Sequence, residues 1–466
     1  MKTAIIRSSW MPGYGMRLDC QPYLGGALET KVLLEKLSIR KDKLHSLTTG
    51  FDGGIYNGPQ FVRNYVDSKD FGVPFLTGST MQVADLSVLP LLSIRDAKGQ
   101  KLRHLELQKG MSLISCSGSI GKMVYARPEM TGVWSSQDVL KVVADPTKVL
   151  SGYLYAYLSS KFGVPLLVSG TYGSMIQHLE PEQIAGLPVP RLGDHIEREI
   201  HGLIEDAAVR RDHANQLYHN AITEFEQTAG LPSIPPKAAE QFILVQSTEL
   251  KGRLDTNFHR AYQYDALKPF LTGRVKGIPI STFARSIIEP VRFKRIEHDI
   301  KEFSIPFFGT GNLGDIDPEP LYNISRFAGI DEYRVDSKTL LIPRSGQIYG
   351  VLGTAFQPIG RVLEGAVTED AIRINCESPE HSGYAFLALR SEWGKRQLKA
   401  RAFGGSIPHL DVNNVGAVLI PKLTEKHERR LGQLALDIAR LRSESIELEN
   451  QARTLVENAV EASSRE

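Results

Sequence analysis

Residues 194–228 read DHIEREIHGLIEDAAVRRDHANQLYHNAITEFEQT. Ile196, Ile200, Leu203, Ala207, Ala214, Leu217 and Ala221 recur in alternating steps of four and three, with Arg210 in one slot. That spacing predicts a long amphipathic helix with its apolar row against another helix. Residues 425–461 repeat the pattern with Leu431, Leu434, Ile438, Leu441, Leu448, Ala452, Leu455 and Ala459, and Ser445 fills the polar slot. Thirty-five residues at about 1.5 Å each would span about 52 Å, more than the width of a small domain. Such a length points to a spacer or a partner-binding rod.

Outside these helices the chain repeats itself. Arg17–Asp19 and Arg253–Asp255 both read RLD, followed by the aromatics Tyr23 and Phe258. GVPFLTGSTM at 72–81 answers SIPFFGTGNL at 304–313, and MSLISCSGSIG at 111–121 answers TLLIPRSGQIYG at 339–350. SSQDVLKV (135–142) answers VTEDAIRI (367–374), and SGYLYAYLSS (151–160) answers SGYAFLALRS (382–391). Finally, 172–192 aligns without a gap to 403–423. Six ordered matches at offsets of 228 to 236 residues establish a domain duplication. Glycine, proline and serine break short apolar runs within each copy, which predicts strands joined by turns, with helices near 151–162 and 382–399. The expected fold is α+β: a globular unit at 1–192, a helix at 193–228, a linker and second unit at 229–423, and a helix at 424–466. The linker is 229–242, with three prolines.

Composition sets the outer bounds. A chain of 466 residues has room for two or three full cores. Cys20, Cys116 and Cys376 are odd in number and far apart, so they form neither a disulfide framework nor a zinc spacing. No signal peptide or membrane span is evident. A soluble cytoplasmic protein is expected. The net charge of +2 neither demands nor excludes nucleic acid.

Several catalytic signatures fail on context. Gly309-Thr-Gly-Asn-Leu-Gly314 spells a dinucleotide fingerprint but leads into DIDPEPLYN, which has no helical period. Ser117-Gly-Ser-Ile-Gly-Lys122 lacks the first glycine and the Ser/Thr of a phosphate loop. His178 and His409 match between copies without companions at metal-ligand spacing and read as turn histidines. Glu369-Asp370 recurs only as Asp138, so no acid/base pair is shared. No catalytic, cofactor or metal residue is assigned.

Unit, helix, unit, helix: this plan resembles the specificity subunit of type I restriction–modification systems. The resemblance covers nearly the whole chain. It rests on the duplication, the SGSIG and SGQIYG turns, the G-x-I-x-H-L stretches before Pro190 and Pro421, and the helix openings at His195 and His427. It implies a non-catalytic subunit with two target-recognition domains, each reading half of a bipartite double-stranded DNA sequence. Its helices would pair as an antiparallel coiled coil. Methyltransferase subunits, two in number, would bring S-adenosylmethionine. A restriction/translocase subunit would bring ATP and Mg. A stand-alone DNA methyltransferase and a coiled-coil adaptor without DNA readout are the alternatives.

Base readout needs cations, amides and hydroxyls on exposed loops. The first unit offers Thr77, Ser79, Ser117, Ser119, Lys122, Tyr172, Ser174, Gln177 and His178. The second offers Thr310, Asn312, Arg344, Ser345, Gln347, Tyr349, Arg401, Ser406 and His409. Two units with different targets must differ where they read, which favours Lys122, Gln177, Arg344 and Gln347 over the shared glycines.

The helices generate a prediction about spacing. Deleting one heptad from each should shorten a strut by about 10 Å, or roughly three base pairs at 3.4 Å each. The preferred gap between the two half-targets, read by selection from randomised DNA, should shrink accordingly. An unchanged gap would leave the helices as docking surfaces only.

Overall fold

The computed structural model describes residues 25–170, 178–233, 244–250, 254–259, 266–327 and 329–464, together with Ser8, Met11 and Tyr23. Arg17–Asp19, Cys20, Arg253 and most of the proline-rich linker lie outside the described residues. Two compact units emerge: 1–212 with 444–466, and 213–443. Both divisions fall inside a long helix, since the helices run Asp194–Thr228 and Glu425–Ser463.

In the first unit one antiparallel sheet orders Ile55–Tyr56, Val139–Val142, Ser112–Ser115 and Met123–Tyr125. A second sheet orders Tyr65–Val66, Leu91–Ser93, Gly72–Leu76 and Trp134–Ser135, the last pair parallel. In the second unit Ser286–Ile288, Ala371–Asn375 and Thr339–Pro343 form the first sheet. Tyr322–Ser325, Ser304–Phe308 and Ala366–Val367 form the other. Register repeats with the sequence: Ile55 lies opposite Val142, as Ile287 lies opposite Ile374.

The SGY repeat has a physical cause. A Cβ on Gly152 would meet the backbone of His201 at 3.0 Å, and one on Gly383 the carbonyl of Gly432 at 2.3 Å, so only glycine lets these short helices touch the long ones. The next residue anchors the strand before each long helix. Tyr153 donates to the Pro190 carbonyl, and Tyr384 to the Pro421 carbonyl at 2.6 Å. The serine closing each repeat bonds the preceding turn, Ser160 Oγ to Tyr157 O at 2.7 Å and Ser391 Oγ to Ala388 O at 2.7 Å. A buried carboxylate then opens each helix. Glu197 accepts from Leu192 N and Arg191, and Glu428 from Leu423 N and Lys422.

Half of each long helix belongs to each unit's core. In the first unit Ile200, Ile204, Ala208, Ala452, Val456 and Val460 pack with Tyr153, Leu154 and Leu158. In the second, Tyr218, Phe225, Leu431, Ala435 and Ile438 pack with Tyr384 and Leu387. The helices run antiparallel, with Arg442 donating to Asn215 at 3.1 Å and Arg430 paired with Glu224 at 2.7 Å. The buried row keeps the alternation of threes and fours but in a neighbouring register, as Ile200, Ile204, Ala207, Arg211, Ala214, Tyr218, Ala221 and Phe225, so every second expected position falls beside it. Ile200, Ala207, Leu431, Ile438 and Leu441 are buried, whereas Ile196, Leu203, Leu217, Leu434, Leu448 and Leu455 are half-buried at its margin. Arg210 sits beside the row and pairs with Glu444 at 3.2 Å. Its neighbour Arg211 is the residue within the row.

Arg211 and Glu449 form a buried ion pair, 4% and 2% exposed. Tyr155 donates to the same carboxylate at 3.4 Å, and Arg453 lies 3.5 Å away. Burial alone would raise the Glu449 pKa, but Arg211 and Arg453 hold it below the usual range. Glu449→Leu should therefore leave Arg211 charged and buried, at a cost of about 3–5 kcal/mol. Adding Arg211→Met should restore most of the loss in urea denaturation. A double variant no more stable than the single one would show that the pair is not the source.

Candidate nucleic-acid interface

The turn after strand Ser112–Ser115 is laced to two distant stretches. Cys116 N donates to Asp138 O at 3.0 Å, Leu179 N to Cys116 O at 3.0 Å, and Ser117 bridges His178. The second unit repeats this with other side chains. Arg344 N donates to Asp370 O at 2.9 Å, Leu410 N to Arg344 O at 2.7 Å, and Ser345 bridges His409. His409 Nδ1 meets Ser345 Oγ at 2.8 Å, so this histidine holds the turn. The 77–81 turn joins the first cluster, because a Cβ on Gly78 would lie 3.5 Å from Asp138.

In the first unit 77–81 and 115–122 thus meet at Asp138, and in the second 343–349 meets 401–409, though their members differ in role. Ser79 and Ser119 are exposed, and Ser117, Lys122 and His178 half-buried. Thr77 Oγ1 lies 3.0 Å from Ser79 Oγ within the turn. In the second unit Gln347 Nε2 donates to Ser406 O at 3.0 Å, lacing 343–349 to 401–409, and Tyr349 stands 87% exposed beside them. Thr310 is half-buried, and Asn312 donates to Glu319 O. Arg401 donates to Ala417 O at 2.9 Å, a fold-closing bond. The Arg344 guanidinium pairs with Glu289 and lies 4.0 Å from Asp370. Tyr172, Ser174 and Gln177 lie outside the described residues. The glycine-rich stretches are turns: Gly309–Gly314 follows strand Ser304–Phe308 and precedes no helix, and Ser117–Lys122 joins two strands.

One duplicated feature escaped the sequence comparison. Arg63 and Arg295, 232 residues apart, lie over Phe75 and Phe307 at 5.5 and 4.8 Å. The rings of Phe61 and Phe293 meet those phenylalanines edge-on at 5.9 and 6.0 Å. Arg63 reaches Gln137 at 3.2 Å and Asp138 at 3.4 Å, while Arg295 reaches both oxygens of Glu369 at 2.6 Å. The signal was present as Phe-x-Arg at one offset, inside a stretch where little else matches. Arg292, beside it, has a side chain 87% exposed.

Beneath each site lies a buried cation. The Lys141 ammonium sits 5.6 Å over the Tyr56 ring, with no hydrogen-bond partner among the described residues. Arg373, its counterpart, donates to Val367 O at 2.7 Å and Ala371 O at 2.8 Å. Among the described residues no group of three His, Cys, Asp or Glu could hold a metal, and no helix is long and apolar enough to cross a membrane.

No protein-family model matches the chain, and no curated protein matches it in sequence. Solved structures do align with it. The S subunit of a type I restriction–modification system from M. genitalium is 13% identical, with 91% of this chain and 95% of that one covered and a TM-score of 0.35. The HsdS subunit from Thermoanaerobacter tengcongensis is 11% identical, covering 90% and 96%, with a TM-score of 0.26. A chain from a structure on complex assembly and conformational transition of the type I R-M system is 12% identical, covering 90% and 97%, with a TM-score of 0.27.

Burial pushes the Lys141 pKa down to about 7, from 10.5 in an open chain. Between those values the unfolded chain binds the extra proton, so stability rises with pH from 7 toward 10.5, and below 7 the penalty is constant. Lys141→Met should raise the urea midpoint at pH 7, with an advantage over wild type that narrows by pH 10. An advantage independent of pH would mean that Lys141 is charged in the fold throughout.

Proposed function

We propose that the chain is the DNA specificity subunit of a type I restriction–modification complex. Each unit reads one half of a bipartite double-stranded target, and the chain docks two methyltransferase subunits and a restriction/translocase subunit. Catalysis belongs to those partners, which bring S-adenosylmethionine, ATP and Mg, and the complex acts in the cytoplasm. The observation that carries this reading is one frame with two linings. Main-chain bonds around Cys116 and Arg344 repeat within a few tenths of an ångström. The side chains around them differ: Asn57 against Glu289, Gln60 against Arg292, Gln137 against Glu369. A frame kept while its lining varies is what two readers of different sequences need. The exposed Arg292 and Tyr349 add a cation and a stacking ring to the second unit's loops.

The test is a module exchange. Residues 1–190 are replaced by the recognition unit of another such chain, and the product is co-expressed with its methyltransferase subunits. The methylated sequence is then read by genome sequencing. One half of the target should change and the other persist. A change in both halves together would overturn modular reading, and an unaltered target would favour an adaptor that binds protein only.

A further inference from the structure

The two linings differ most at one point. Cys116 and Arg344 leave the main chain at equivalent places, and strand register makes Asn57 equivalent to Glu289. In the second unit the Arg344 guanidinium fills the space between Glu289 and Asp370. In the first unit the side chain at that place ends at Sγ. A cavity of about 390 Å³ remains, lined by Asn57, Cys116, Gln137, Asp138 and Glu180 among others. The lining is rich in acceptors. Asp138 faces Arg63 at 3.4 Å, and Glu180 accepts from Asn57 Nδ2 at 3.0 Å. Burial pushes the Cys116 thiol up to about 12, with Asp138 adding to the effect, so sulfur contributes no charge and reaches the Gln137 carbonyl at 3.4 Å. Arg63 offsets Asp138, and the Lys141 ammonium lies beneath. The side-chain oxygens of Asn57, Gln137 and Glu180, rather than a net negative charge, therefore recommend the recess to a planar hydrogen-bond donor.

We propose that this recess binds a guanidinium group on an alkyl stem, namely an arginine side chain of a partner protein, where the second unit supplies its own arginine. The planar fork of a guanidinium suits a wall of carboxylate and amide oxygens better than a compact ammonium does. The recess shares Asn57, Gln60 and Gln137 with the lining proposed for DNA reading. The assignment rests on cavity chemistry and on the duplicate's occupant, so the binding experiment, done without DNA, tests it separately.

The experiment is calorimetric titration of the full chain with N-acetyl-arginine methylamide, with the lysine analogue as control and ethylguanidine as a free guanidine. Saturable binding of the arginine compound, weaker binding of the lysine one, is expected. Asn57→Glu, which installs the second unit's acid, should tighten binding about tenfold, the worth of one charge-assisted bond. Cys116→Arg should abolish binding by filling the recess. Should that variant fail to fold, as thermal unfolding would reveal, Asn57→Glu decides alone. Equal binding of the arginine and lysine compounds, or affinity unmoved by Asn57→Glu, overturns the proposal. Binding of ethylguanidine but not of the peptide-like compound overturns the assignment to a partner's arginine.

Discussion

Neither globular unit closes its core without the long helices. Ile200, Ile204, Ala452 and Val456 are fully buried in the first unit's cluster, and Phe225, Ala435 and Ile438 in the second's. Each fully buried side chain of the larger kind contributes about 1.5–3 kcal/mol, so the helices are core elements as much as connectors. This constraint explains the glycines at 152 and 383, which admit the helix backbones, and the tyrosines at 153 and 384, which fix the strand leading into them. It also explains why Glu197 and Glu428 are buried at the helix openings despite their charge. Each carboxylate caps a free backbone amide and meets a cation from the preceding strand end.

Much of this was legible in the chain itself, and the reasons separate what could be read from what could not. The long helices were visible because their apolar period persists over many turns. The row's register was not, since adjacent residues such as Leu203 and Ile204, or Leu217 and Tyr218, satisfy the same steps of three and four. Leu203 and Leu448 satisfy the period and still lie at its edge, while Arg211, a charge, lies at its centre beside Glu449. No hydrophobic pattern can announce a buried ion pair, because it needs a partner more than two hundred residues away.

The candidate interface shows the same division. Loops were found where glycines and hydroxyls cluster, and the main chain does bring 115–122 to His178 and 343–349 to His409. Side-chain roles were less readable. Arg344 and Arg401 have the chemistry of base readers, yet carboxylates surround the first and a backbone carbonyl holds the second. Arg63 and Arg295 passed unnoticed because an arginine over a phenylalanine is a tertiary fact, with the ring twelve residues further on.

Matched positions therefore build the frame, and unmatched ones line it. Gly152 and Gly383 are fixed by a close backbone approach that leaves no room for a side chain, and Ser160 and Ser391, like Arg63 and Arg295, make the same contact in both copies. Lys141 and Arg373 mark the boundary between the two classes. Both place a cation beneath the lining, but Arg373 reaches carbonyls with both terminal nitrogens, and among the described residues Lys141 has only the face of Tyr56. A planar fork can bond several carbonyls at once, whereas a point charge on a flexible stem cannot. The second unit thus tolerates its buried cation more easily than the first. The first unit has a thiol where its duplicate holds Arg344, and the space the arginine would fill is a recess lined by Asn57, Gln137, Asp138 and Glu180.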